Sequence, residues 1–221
     1  MDNSSVPIDV CEKVIDAAGD TLIPPTRNWT LLACALVCRA WLPRSRYCLL
    51  RQIQLQTAGE GEHLAKFIGD HRYLAVLIEE FKVSSGVQKK SFIPLVFPCP
   101  LPNCRYLSLN LDWQSYPPRY WSYIGQFKSV VILRLNINGL TLSDMLHLVW
   151  SLPELRSLRL QGDFEKDAHA LHGSGVLQRI KKSKPNACRK LRHLELDSVS
   201  GESSMSSVSD LLAIFTGRSS H

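Results

Sequence analysis

From residue 78 onward the chain repeats one short pattern: an apolar anchor, two further residues, then two apolar residues separated by a polar one. The anchors are Ile78, Cys104, Val130, Leu155 and Leu191. The apolar pairs open at Phe81, Leu107, Leu133, Leu158 and Leu194, so successive steps are 26, 26, 25 and 36 residues. Alternation with a period of two marks a strand with one buried face, because neighbouring side chains point to opposite sides. Five such strands at a nearly constant step cannot each bury an apolar face alone, so the units must stack.

A unit of L-x-x-L-x-L type repeating every 20–29 residues or so is the pattern of leucine-rich repeats. The first three steps fit it, and the last implies an insertion, for which Gly173 to Asn186 is the natural place. Between the strands lie helical candidates at His63 to Ile68, Tyr120 to Phe127, Ser143 to Leu152 and Lys166 to Lys182, with Ser143 read as a cap. The expected architecture is α/β, a short irregular leucine-rich-repeat solenoid over residues 60–200. The polar strand positions would form two ladders on its concave side, Lys82, Ser108, Arg134, Arg159, Glu195 and Asn110, Asn136, Gln161, Asp197. As a target-binding face, Lys82, Asn110, Arg134, Asn136, Arg159 and Gln161 are the candidates, with Arg134 and Arg159 suited to gripping a carboxylate or phosphate. A solvated sheet surface is the competing reading for each of them. A Ser-rich linker and a short helix, Val208 to Phe215, occupy 201–221.

Residues 1–56 follow a different rhythm. Ile8, Val10, Cys11, Val14, Ile15 and Ala18 trace one side of a helix, with Pro7 at its first turn and Gly19 as a C-terminal stop. Gly19 to Trp29, with Pro24 and Pro25, reads as a long loop. Thr30 then caps a helix beginning near Leu31, a junction falls between Cys38 and Pro43, and PRSRYCLLRQIQL resumes as helix and ends strand-like. Cys34 and Cys38, four apart, share a helix face as small buried hydrophobes. The apolar residues Leu31, Leu32, Leu36, Val37, Trp41, Leu49 and Leu50 outnumber the inward positions of three short helices, so a partner or a neighbouring domain is implied.

The string VPIDVCEKVIDAA followed by TLLACALVCRAWLPRSRYCLLRQIQL resembles the F-box motif, and more narrowly F-box proteins of mushroom-forming (basidiomycete) fungi. Val6-Pro7 stands for the family's Leu-Pro, and Val37-Cys38-Arg39-Ala40-Trp41 supplies its Val-Cys-x-x-Trp. The resemblance implies a three-helix module that docks on the Skp adaptor, and through it on a cullin scaffold, in a ubiquitin ligase of the Skp-cullin-F-box (SCF) type. By position it places Pro7, Ile8, Val10, Val14 and Ile15 on the Skp-facing surface, together with Leu31, Leu32, Leu36, Val37 and Trp41. The division of these ten between contact and core is open on sequence grounds. The repeats would then recruit a target protein whose identity is unknown. The alternative is a repeat scaffold whose N-terminal helices merely cap the array.

Charge and composition narrow the rest. The net charge is +6, with Arg179, Lys181, Lys182, Lys184, Arg189, Lys190 and Arg192 crowded together. No aromatic residues interleave with them for base stacking, so a solvated face is favoured over a nucleic-acid site. No apolar run approaches the ~20 residues of a membrane span, and the N-terminus lacks a signal pattern. Together with seven cysteines, an odd number, this favours the reducing cytosol or nucleus, with no membrane partner. No phosphate-loop, dinucleotide, zinc-protease or serine-elbow motif occurs. His169 and His172, with Asp167 or Glu165, make at most half a metal site, and Cys188 lacks a recognisable base. The expectation is a protein without enzymatic activity, cofactor or metal.

Overall fold

The computed structural model describes residues 7–21, 24–84, 97–116, 120–162 and 190–197. Three helices come first: α1 (Ile8–Thr21), α2 (Pro24–Val37) and α3 (Leu42–Arg51). They lead directly into β1 (Gln52–Leu55), then α4 (Ala58–Asp70), a 3-10 helix (Arg72–Leu77) and β2 (Glu80–Ser84). There follow β3 (Tyr106–Asn110), a 3-10 turn (Trp113–Ser115), α5 (Tyr120–Ile124), β4 (Ile132–Asn136), α6 (Leu142–Trp150), β5 (Ser157–Gln161) and β6 (His193–Asp197). The fold is thus mixed α/β, with helices at the N-terminus followed by a parallel sheet.

The six strands lie in chain order, and every neighbouring pair is parallel. The register repeats the sequence spacing: Phe81 stands beside Leu107, Leu107 beside Leu133, Leu133 beside Leu158, and Leu158 beside Leu194. One sheet face is therefore a stack of leucines and Phe81, buried throughout β2 to β5 and half-buried at β6. The anchors Ile78, Cys104, Val130 and Leu155 are buried beneath the strand starts, and Leu191 packs against the same core. Each connection re-enters the sheet in the same way. Arg105 and Tyr106 both donate their amides to the Glu79 carbonyl, Val131 and Ile132 to that of Arg105, Arg156 and Ser157 to that of Val131, and Arg192 and His193 to that of Arg156.

Sequence expectations for the sheet hold with one addition, since the strand-like QIQL is a sixth strand paired to β2. The His63 to Ile68 candidate lies inside the longer α4, which starts with a capping box. Thr57 accepts from the Glu60 amide, and the Glu60 carboxylate accepts from the Thr57 amide. The cap of α6 is Thr141 rather than Ser143. Its hydroxyl accepts from the Asp144 amide and donates to the Asp144 carboxylate, which places the helix start two residues earlier. The Lys166 to Lys182 and Val208 to Phe215 candidates, and the Gly173 to Asn186 insertion, fall outside the described residues.

The N-terminal helices depart more from expectation. Gly19 does not stop α1. The helix runs on to Thr21, and Gly19 is buried against Cys48 of α3. Pro24 and Pro25 do not break the chain either, because they begin α2. At a helix start the missing amide hydrogens have no partner to lose and the fixed φ is already helical. The supposed long loop is therefore mostly helix, with only residues 22 and 23 between α1 and α2. Cys38 lies just past the end of α2 and is exposed, while Cys34 is half-buried.

These helices close a small core of their own from Ile15, Leu31 and Cys48, flanked by Ala18, Cys34, Trp41, Tyr47 and Leu49. Polar ties supplement it. Arg27 is buried and donates to the Cys48 carbonyl at 2.5 Å, and Tyr47 donates to Glu79 ahead of β2 at 2.9 Å. Arg44 clasps Asp16 with two bonds of 2.6 Å. That guanidinium is the main reason the Asp16 carboxyl titrates below its ordinary value, against a smaller opposing effect of burial and with a lesser contribution from the Cys48 thiol. The thiol is in turn pushed up to about 11, by burial first and then by the carboxylate.

A carboxyl whose folded value is lowered stabilises the fold above its unfolded value, near pH 4, and loses that contribution as pH falls through the folded value. Both side chains are about one-third exposed (34% and 35%), so the pair is screened. Asp16→Asn is expected to cost about 0.5–1 kcal/mol at pH 7 and almost nothing at pH 2. Urea unfolding at the two pH values checks this, and an equal loss at both would show that the carboxylate charge plays no part.

Candidate binding surfaces

Of the ten helical positions singled out in the sequence, the structure divides core from surface. Ile15 and Leu31 are fully buried (0% exposed), and Trp41 is half-buried against them. Pro7, Ile8, Val10, Val14, Leu32, Leu36 and Val37 are exposed, Leu36 to 86%. Six of these seven are large apolar side chains on just two helices. Two more were missed by sequence reasoning: Trp29, 76% exposed, and Leu42 at the start of α3. Trp29 was hidden because its segment reads as loop. Once α2 is extended back to Pro24, Trp29, Leu32 and Leu36 fall at helical spacings of three and four.

The polar face of the sheet forms the second surface. Its ladders are in register as expected, with Lys82 beside Ser108, Ser108 beside Arg134, Arg134 beside Arg159, and Arg159 beside Glu195. An open groove of about 200 Å³ runs across it, lined by Gln54, Lys82, Ser108, Asn110, Arg134 and Asn136 among others. Gln54 belongs to this face through β1 and was not foreseen. The two arginines differ. Arg159 is paired with Glu195 at 2.7 Å, with both side chains more than half exposed. Among the described residues Arg134 donates only to the neutral Gln161 side chain, at 3.2 Å. Lys82 pairs with Glu80 at 3.2 Å and lies over the Tyr106 ring. Asn136 donates to Asn110 at 2.9 Å.

Buried thiols here are poorly disposed to react. Burial pushes Cys104 up to about 12, and Cys48 is raised as described, so both are protonated near neutral pH. Among the described residues no group of three or more His, Cys, Asp or Glu side chains could hold a metal ion. Glu165, Asp167, His169, His172 and Cys188 fall outside the described residues. No described helix is long and apolar enough to cross a membrane. No protein-family model matches the chain, and no curated protein matches it significantly.

Proposed function

We propose that the chain is a non-enzymatic substrate receptor of an SCF-type ubiquitin ligase. On this reading α1 to α3 are an F-box-like module that docks on the Skp adaptor. The parallel sheet and its connections are a short leucine-rich-repeat solenoid whose polar face recruits a target protein. The chain supplies proximity and orientation, and the partner subunits carry out ubiquitin transfer.

One observation carries the reading: apolar side chains on α1 and α2 are left in solvent although the same helices already close a core. Isolated exposed apolar residues are ordinary, but a concentration of Ile8, Val10, Val14, Trp29, Leu32, Leu36 and Val37 on two helices marks a contact surface. Had these helices served only to cap the sheet, these residues would be expected against its first strands. The segment from Gly19 to Trp29 that reads as a long loop is mostly helix, with α1 and α2 separated only by residues 22 and 23, which suits a compact module.

Co-expression with a Skp adaptor, followed by size exclusion, tests the proposal. The wild-type chain is expected to co-elute. A Pro7→Ala, Val37→Asp double variant, with both changes at exposed positions, is expected to lose the adaptor while keeping its circular dichroism spectrum. A folded wild type that forms no complex would point instead to a free-standing repeat scaffold.

A further inference from the structure

The start of each strand carries a feature that the proposed function does not use. The residues preceding β2 to β6 are Glu79, Arg105, Val131, Arg156 and Arg192, brought into line by the repeated amide-to-carbonyl bonds at the sheet edge. Arg105, Arg156 and Arg192 are exposed, and among the described residues none of their guanidinium groups has an ion-pair or side-chain hydrogen-bond partner. Arg156 and Arg192 occupy neighbouring positions, where like charges repel. A row of this kind is relieved by an anionic partner.

Between Arg105 and Arg156 lies a cavity of about 450 Å³ whose floor includes Pro102, Val131 and Ile132. That volume is within the usual range of ligand sites. Among the described residues the one acid in the lining, Glu154, is held by Lys190 through contacts of 2.6 and 2.7 Å, and that ammonium keeps its carboxyl below the ordinary range. Its charge is answered mainly by Lys190, with a lesser attraction from Arg156, and together with Arg105 these cations outnumber it, so the rim stays positive. The neutral polar members are occupied too: Asn103 donates to the Val76 carbonyl, and Ser129 reaches the Leu101 and Cys104 carbonyls. What remains open is an apolar floor between two arginines whose backbone positions lie two strand steps, about 9–10 Å, apart.

We propose that this cavity is a docking site for an acidic protein segment, an apolar residue of the segment seated on Pro102 and Ile132 and its flanking carboxylates on Arg105 and Arg156. Guanidinium groups match carboxylates bidentately, which suits both ends of the site. A nucleic acid would supply phosphates, but among the described residues no aromatic side chain lines the cavity to stack a base. The site lies outside the polar face of the sheet and is independent of the receptor reading, so it stands or falls by itself.

The test uses the full chain and a fluorescent twelve-residue peptide of Glu and Asp around a central Leu, followed by anisotropy. Comparison probes are the same peptide with Ser for Leu, a Gln analogue, and a single-stranded oligonucleotide of similar length. Wild type is expected to bind the acidic Leu peptide, the Ser peptide severalfold more weakly, and the Gln analogue not measurably. Arg105→Glu with Arg156→Glu should weaken binding by about tenfold or more, as loss of paired charges at a contact does. Lys66→Gln, at an exposed position on α4 away from both surfaces, should leave binding unchanged. Both reversed arginines are exposed and, among the described residues, make no side-chain hydrogen bond or ion pair, and Arg156→Glu sets opposite charges beside Arg192, so the double variant should remain folded. The proposal is overturned if folded wild type ignores the peptide, if charge reversal leaves the affinity unchanged, or if the oligonucleotide binds more tightly through the same arginines.

Discussion

Truncating Phe81 to alanine is expected to lower the unfolding free energy by about 3–5 kcal/mol. Phe81 opens the first of the repeated apolar pairs and is fully buried as the second residue of β2. Its ring meets Phe97 edge-on at 5.4 Å and Phe127 at a tilt at 5.7 Å, and Phe97 and Phe127 also meet each other, at 6.2 Å. The three rings form one block. Deleting one removes the transfer energy of a large side chain and the edge contacts, worth about 0.5–1.5 kcal/mol per aromatic pair. It also leaves a void that cannot close readily, because β2 is held in register by β1 on one side and β3 on the other. Tyr73→Ala, at a position 65% exposed, supplies the control and should change stability by no more than about 0.5 kcal/mol. A shift of the urea midpoint at unchanged slope reads both values. A loss below about 1.5 kcal/mol for Phe81→Ala would mean that the aromatic block relaxes into the space.

The sheet was legible because its signal is redundant. Five copies of one spacing fix the strands, their register and their buried face together, and a misjudged residue in one copy is corrected by the other four. The helical module offers no such redundancy. There Pro24-Pro25 and Gly19 look like breakers, their commonest effect. The same chemistry serves a helix start when the prolines fall in its first turn, and a glycine within a helix gives a neighbouring helix close approach, as Gly19 gives Cys48. The Thr57-x-x-Glu60 capping box was visible in the sequence and would have placed the start of α4 correctly. The row of Arg105, Arg156 and Arg192 could also have been found by applying the repeat step to the residue before each strand. The polar ladders within the strands were easier to see only because they lie between leucines.

Two leucines five residues apart on α2 should separate folding from docking. Leu31 is fully buried against Ile15 and Cys48, whereas Leu36 is 86% exposed. Leu31→Ala is expected to destabilise the helical module by about 2–5 kcal/mol, since three short helices have few other side chains with which to fill the gap. Leu36→Ala touches no core and should stay within about 0.5 kcal/mol of wild type. Under the receptor reading, however, Leu36 stands on the face that a Skp adaptor would cover, and its truncation should weaken that complex about tenfold or more, as removal of an apolar anchor from the centre of an interface does. A position that is neutral for stability yet costly for association has no reason to be apolar within the isolated chain. Thermal unfolding of both variants and titration with the adaptor therefore bear on the same question from two sides. If Leu36→Ala were as destabilising as Leu31→Ala, this face of α2 would be packed within the chain itself, and the argument from exposed apolar surface would fail. If Leu36→Ala were neutral in both measurements, the docking face would have to lie elsewhere on the module, and α1, with Ile8, Val10 and Val14 exposed, would be the place to look.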